Sequence, residues 1–259
     1  MSLPRPVWKG HLKISLVAVP VRLHEAVHRG RRVELHLVHR GCGQRVHYQA
    51  VCPRHGPVPR EELVRAYEYE RDRYLELDEE ELAAIRLETS RVIEVEGFVP
   101  AGSVDPLYLD TPYFLAPDGP VAAQPFAVLR EAMARAGVQG WGRVVLAGHE
   151  RGVLLGPRGP GMLLTTLRQA WQVQAEEALW AELEEARVPA AELRLAREVV
   201  DALRRELPVE GLRDRYEEAL LELIRAKLEG RRAELPAEAE EARVVDFMEA
   251  LRRSAEQAR

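Results

Sequence analysis

Leu12-Lys13-Ile14-Ser15-Leu16 and Val33-Glu34-Leu35-His36-Leu37 alternate apolar and polar residues with period two, which predicts two half-buried strands. Further short apolar runs follow at Tyr74-Leu75-Glu76-Leu77, Val92-Ile93-Glu94-Val95, Leu107-Tyr108-Leu109 and Tyr113-Phe114-Leu115, set apart by Pro, Gly and Asp turn signals. Val144-Val145-Leu146, Gly152-Val153-Leu154-Leu155 and Met162-Leu163-Leu164-Thr165 complete the set. About nine short strands predict a barrel or a strongly bent sheet rather than a parallel, doubly wound one. Helices are expected at about 60–68, 78–87 and 125–136, the second with Asp78 as N-cap and Glu81 as its capping-box partner. None carries a glycine-rich phosphate loop.

From about residue 176 the pattern becomes amphipathic helix. After Pro189, Leu193, Ala196, Val200, Leu203 and Leu207 recur at helical spacing until Pro208. A second stretch, from near Glu210 to Gly230, carries Leu212, Tyr216, Leu220, Leu223 and Lys227. Apolar stripes on such charged bodies must pack on something, either the chain's own sheet or a partner. The last segment, from about 236, opens on the acidic run Glu238 to Glu241 and holds Val244, Val245, Phe247, Met248 and Leu251, a third packed helix or a docking helix. The division expected is 1–175, 176–232 and 233–259.

The chain has 259 residues, 46% hydrophobic and 31% charged, enough to bury a sizeable core. Its most apolar window, Ile14 to Val21, is interrupted by Ser15 and Pro20, so no membrane-spanning helix is expected. The first residues do not read as a secretory signal, and a cytoplasmic location follows, where two cysteines are better suited to metal binding or a core than to a disulfide. The net charge of −5 conceals an asymmetry. Residues 1–60 hold eleven Lys or Arg against Glu25 and Glu34, a surplus of nine positive charges that leaves −14 on the remainder. A basic segment on an acidic protein suggests a confined polyanion-binding surface; a solvated face balanced by nearby acids is the plainer reading.

The sharpest chemical signal is His39-Arg40-Gly41-Cys42-Gly43 followed by Cys52-Pro53-Arg54-His55-Gly56. Each half sets two borderline or soft donors two residues apart next to a glycine, and a short connection brings the halves together. The spacing predicts a tetrahedral structural Zn²⁺ on His39, Cys42, Cys52 and His55, within an insertion of about 36–60, with His36 and His47 as reserve ligands. Four protein ligands leave no open position for water, so the metal is a folding staple. The plainer alternative is two ordinary thiols among surface histidines.

Taken in order, several segments resemble one family. Trp8-Lys9-Gly10-His11-Leu12-Lys13-Ile14-Ser15-Leu16-Val17-Ala18-Val19-Pro20-Val21-Arg22-Leu23 looks like the opening of prokaryotic Ku, the DNA-end-binding family of non-homologous end joining. Leu35 to Arg40, Tyr67-Glu68-Tyr69-Glu70, Ile93-Glu94-Val95 with Phe98-Val99-Pro100, Asp105-Pro106-Leu107-Tyr108, Pro112 to Pro117, Leu167-Arg168 and Tyr216 to Leu220 are similar in the same order. The resemblance spans about residues 7–230. It implies a mixed β + α fold, a Ku-type β-barrel core with a zinc-knuckle insertion and a C-terminal helical arm. It implies a non-enzymatic homodimeric ring that threads onto double-stranded DNA ends and recruits the ATP-dependent DNA ligase of bacterial end joining, in the cytoplasm at the nucleoid.

On this reading Lys9, Lys13, Arg22, Arg29, Arg31, Arg32, Arg40, Arg45 and Arg54 contact phosphate without reading bases. The stripe Leu193, Val200, Leu203, Leu207, Tyr216, Leu220 and Leu223 faces the other subunit. Two features depart from the family pattern. The chain has three lysines, Lys9, Lys13 and Lys227, and hence no lysine-rich tail; and His55 stands where many relatives have cysteine. A metal-dependent nuclease or phosphoesterase would need acids near the metal, and residues 36–60 contain none. A zinc-bearing transcription regulator would need a recognition helix rich in Arg, Asn or Gln, whereas the helix candidates are acidic or apolar-striped.

Overall fold

The computed structural model describes residues 5–27, 33–85, 91–181, 183 and 188–232, in two compact units, Met1–Gly30 with Leu37–Gln174 and Arg31–His36 with Ala175–Arg259. In the first unit, strands β1 (Trp8–Ile14) and β2 (Val17–Glu25) form a hairpin across Ser15-Leu16. Two small hairpins follow, β3 (Val51–Cys52) with β4 (Gly56–Pro57) and β5 (Arg65–Glu70) with β6 (Arg73–Leu77), before helix α1 (Glu79–Ala84). Then come β7 (Val92–Pro100), β8 (Leu109–Pro117), α2 (Pro120–Ala136), β9 (Val138–Leu146), β10 (His149–Arg158) and β11 (Gly161–Leu167).

Seven of these strands close a barrel in the order β1-β2-β8-β11-β10-β9-β7, sealed by a parallel β1–β7 pairing of His11 to Ile14 with Val92 to Val95. Closure removes the exposed edges an open sheet would present. Period-two alternation decides what points inward. Leu12, Val19, Val21, Leu23, Ile93, Leu115, Val153, Leu155 and Leu164 are fully or almost fully buried, while Lys9, His11 and Lys13 alternate with them on the outside. Helix α2 lends Ala122, Phe126 and Met133 to the same core and stops at Gly137, whose φ of 64° is the left-handed C-cap that glycine adopts without strain. At Gly142 a Cβ would stand 1.8 Å from the Glu94 carbonyl oxygen, so only glycine lets β9 approach β7. Thr166 and Arg168, at the end of β11, hold the start of β8. The Thr166 hydroxyl donates to Asp110, and Arg168 donates to the Leu107 and Leu109 carbonyls.

Several expected elements change. Val33 to Leu37 forms no strand and is exposed except at Val33; among the described residues its only ladder contact is the Val46 N–H donating to the Leu37 carbonyl, beside the isolated bridge of Val38 with Arg45. The helix expected at 60–68 is a 3-10 turn, Arg60–Glu62, followed by β5, in which the alternating Tyr67-Glu68-Tyr69 favours extended chain. Leu107-Tyr108 likewise lies in a 3-10 turn, Pro106–Tyr108, whose Asp105 cap accepts from the Leu107 N–H. Helix α1 carries the expected capping box, with the Asp78 N–H donating to Glu81 at 2.9 Å. Helix α2 starts at Pro120 rather than 125, since proline is well suited to the first helical position.

The second unit contains α3 (Glu177–Trp180), α4 (Ala190–Leu203) and α5 (Arg215–Leu228). Helix α4 ends at Leu203, so Leu207 lies beyond it, where Pro208 biases the chain toward extended structure. Helix α5 begins not near 210 but after Asp214, whose carboxylate accepts from the Tyr216 and Glu217 N–H groups at 2.9 and 3.2 Å. Leu212 therefore precedes it. The segment 233–259 lies outside the described residues. Among the described residues no helix is long and apolar enough to cross a membrane.

Candidate nucleic-acid interface

The insertion between β2 and β7 contributes almost no core. From Glu34 to Glu76 nearly every residue is exposed, including Leu35, Leu37, Tyr48, Val51, Tyr67, Tyr69 and Tyr74. Its local order comes from turns. The Gly43 N–H donates to the His39 carbonyl at 2.8 Å, and β3 pairs with β4 around Pro53-Arg54-His55. The knuckle glycines Gly43 and Gly56 sit at φ of 69° and 78°, left-handed conformations that other side chains rarely adopt.

Each turn brings its two expected ligands together. His39 Nδ1 lies 3.2 Å from Cys42 Sγ, and His55 Nδ1 lies 3.5 Å from Cys52 Sγ. Both cysteines are free thiols. No group of three or more His, Cys, Asp or Glu side chains gathers at a metal-binding distance among the described residues, so the structure assembles two pairs and not a fourfold cluster. His36 and His47 are exposed.

The nine candidate phosphate contacts of the basic segment fall into three groups. Arg29, Arg31 and Arg32 lie outside the described residues. Lys9, Lys13 and Arg22, on the barrel strands, are engaged with acids: Lys9 and Arg22 stand 3.5 and 3.8 Å from Asp118, and Lys13 bonds Glu94 at 2.8 Å. Arg40, Arg45 and Arg54, around the knuckles, are exposed, with no carboxylate in ion-pair range among the described residues. Phosphate would compete least for these last three.

The composition did not disclose a charge ladder running across the barrel wall. Lys13 on β1, Glu94 on β7 and Arg143 on β9 stand opposite one another, and Arg143 also binds Glu96 and lies 3.6 Å from Glu150. The hydrogen bond and charge of Lys13 hold the Glu94 carboxyl below the usual carboxylate range, and the acids around Arg143 push its guanidinium pKa up. A lowered carboxylate favours folding above its unfolded pKa, and that contribution fades as pH falls through the folded value. Replacing Lys13 with Met should raise the Glu94 pKa toward the ordinary range, read by carbon-detected NMR titration. An unchanged Glu94 would show that Arg143 alone sets it.

The stripe expected to face a second subunit presents itself unevenly. Leu193, Val200, Leu203, Leu207 and Tyr216 are exposed, whereas Leu220 and Leu223 are partly covered.

A closed barrel interrupted by a long, exposed, knuckle-bearing insertion and followed by helices defines a β-barrel protein of the Ku type. The family model for the Ku70/Ku80 beta-barrel domain matches residues 13–195. The chain is 35% identical over 254 residues to a Non-homologous end joining protein Ku of Cereibacter sphaeroides, covering 97% of this chain and 95% of that one. It is 38% identical over 260 residues to that of Gluconacetobacter diazotrophicus, covering 96% of each. The same-named protein of Acidobacterium capsulatum is 35% identical over 260 residues, covering 97% of this chain and 85% of its own. The chain belongs to the Ku family.

Proposed function

We propose that this protein acts, without catalysing a reaction, as a homodimeric ring that binds double-stranded DNA ends irrespective of sequence and recruits the end-joining ligase in double-strand break repair, in the cytoplasm at the nucleoid. The observation that carries the reading is the match to bacterial proteins named for non-homologous end joining over nearly the full length of both chains. The exposed arginines Arg40, Arg45 and Arg54 support it, since guanidinium groups with no carboxylate in ion-pair range among the described residues suit phosphate. Arg29, Arg31 and Arg32 join them in the proposal on charge alone, and Lys9, Lys13 and Arg22 would have to exchange carboxylate for phosphate.

Zn²⁺ belongs to the same proposal. The thiol and imidazole pairs, each closed by a left-handed glycine, have the donor chemistry of a structural site. His39, Cys42, Cys52 and His55 would hold the ion, which would tie the two turns of the insertion into one. The arm stripe Leu193, Val200, Leu203, Leu207, Tyr216, Leu220 and Leu223 would pack against the second subunit, covering apolar surface that one chain leaves open.

Salt titration tests the electrostatic part. If phosphate contacts dominate, log affinity should fall linearly with log salt at a slope of about −0.9 per phosphate neutralised, equally for unrelated duplexes. Replacing Arg40, Arg45 and Arg54 together with Ala should flatten the slope by up to about 3. A slope unchanged in the triple variant would remove the insertion from the interface.

A further inference from the structure

A second recognition feature lies where β10 begins and β11 ends. Trp171 is 78% exposed, on a 3-10 turn, Ala170–Gln172, just beyond β11. Leaving an indole in water is costly, and this one is also held in place. Its N–H donates to the Gln169 side chain, and the Gln169 backbone N–H donates in turn to the Gln172 side chain at 2.8 Å. The indole therefore presents a fixed aromatic surface whose ordering cost is already met on folding.

The surroundings are polar and include a guanidinium. Trp171 borders a cavity of about 290 Å³ that also takes in His149 and Arg151 of β10. Both are exposed, and neither is in an ion pair among the described residues. Glu150 reaches the same cavity, but its carboxylate lies 3.6 Å from Arg143. A rigid aromatic face beside a guanidinium, an imidazole and side-chain amides fits one kind of ligand unit, a flat base attached to an anionic phosphate. A duplex shields its base faces, whereas a single strand offers them.

We propose that Trp171, with Arg151 and His149, forms a stacking site for an unpaired nucleotide of single-stranded DNA. Resting on the end-binding reading, this deepens it: the substrate class includes ends with single-stranded extensions, whose terminal bases dock on the outside of the barrel at the β10–β11 end. Amide groups and stacking read no base edge firmly, so the site accepts any sequence, and Arg151 supplies the phosphate contact.

The test uses the full chain and duplexes closed by a hairpin at one end, with the other end blunt or bearing a short oligo(dT) extension. One stacked base should tighten binding of the extended end over the blunt one by roughly 5- to 150-fold. Trp171→Ala should abolish that difference and leave blunt-end affinity unchanged, Trp171→Phe should keep part of it, and Arg151→Ala should reduce it. Free oligo(dT) should quench tryptophan fluorescence in the parent chain, and Trp171→Phe should remove the quenching. Equal affinity for both ends in the parent, or a preference that survives Trp171→Ala, overturns the proposal. So does a Trp171→Ala variant that loses both ends together and falls to monomer in sedimentation, which would make the indole a subunit contact. Quenching by oligo(dT) that depends on Trp171, with no binding of blunt duplex, would leave the stacking site standing and refute the end-binding reading instead.

Discussion

Protein prepared without chelators should carry close to one zinc per chain, and Cys42→Ser with Cys52→Ser should lose it entirely. The reason lies in how little else holds the insertion. Its residues from Glu34 to Glu76 bury almost nothing, and its hydrogen bonds among the described residues stay within local turns and small hairpins, so a polypeptide of that composition gains little from apolar burial. Zinc that drew the two donor pairs onto one ion would supply about 10 to 16 kcal/mol at neutral pH, comparable to the usual net stability of a whole domain. The barrel does not share this dependence, because its core of Leu12, Leu23, Ile93, Leu155 and Leu164 is closed without the insertion. The double variant should thus keep the thermal transition of the barrel while proteases cut the insertion far faster. Elemental analysis of the parent and limited proteolysis of both proteins read the outcome. A metal-free parent with a protease-resistant insertion would show that the two thiol–imidazole pairs act separately.

The barrel was legible because its strands obey a strict local rule. In β1 and β7 alternating residues are sorted between core and water, so periodicity alone places Leu12 inside and Lys13 outside. Val33 to Leu37 shows the same alternation and is no strand, since alternation states which face is apolar and not whether a neighbouring strand exists to pair with. The ligand pairs were legible for a similar reason: a two-residue gap before glycine fixes each turn locally, whereas the approach of one turn to the other depends on contacts distant in sequence. The wall ladder of Lys13, Glu94 and Arg143 was not legible, because it depends on the register between strands eighty residues apart, and a charge count treats Lys13 as free. Trp171 left one signal, a lone aromatic in the amide-rich run Gln169 to Gln174, and only the structure shows that those amides hold it in place.

Linear duplex should bind tightly and covalently closed circles of the same sequence should not. Two parts of the proposal make opposite demands here, which is what gives the experiment its force. Electrostatics takes no account of ends: Arg40, Arg45 and Arg54 would attract any phosphate backbone, closed or open, and salt would weaken both alike. Topology does take account of them. If the arm stripe from Leu193 to Leu223 joins two subunits and the paired insertions complete a ring, the hole admits DNA only from a free end. Threaded protein should then stay trapped when both ends are blocked afterwards by bulky adducts, surviving a salt challenge that strips protein from unblocked DNA. Placing charge on the stripe, with Leu203→Glu and Leu207→Glu, should break the dimer and abolish trapping while leaving weak, salt-sensitive binding to either form. The comparison is made by competition against a labelled linear fragment, together with sedimentation of the stripe variant. Circles that compete as well as fragments would leave only a basic surface on a barrel, with no ring around the DNA.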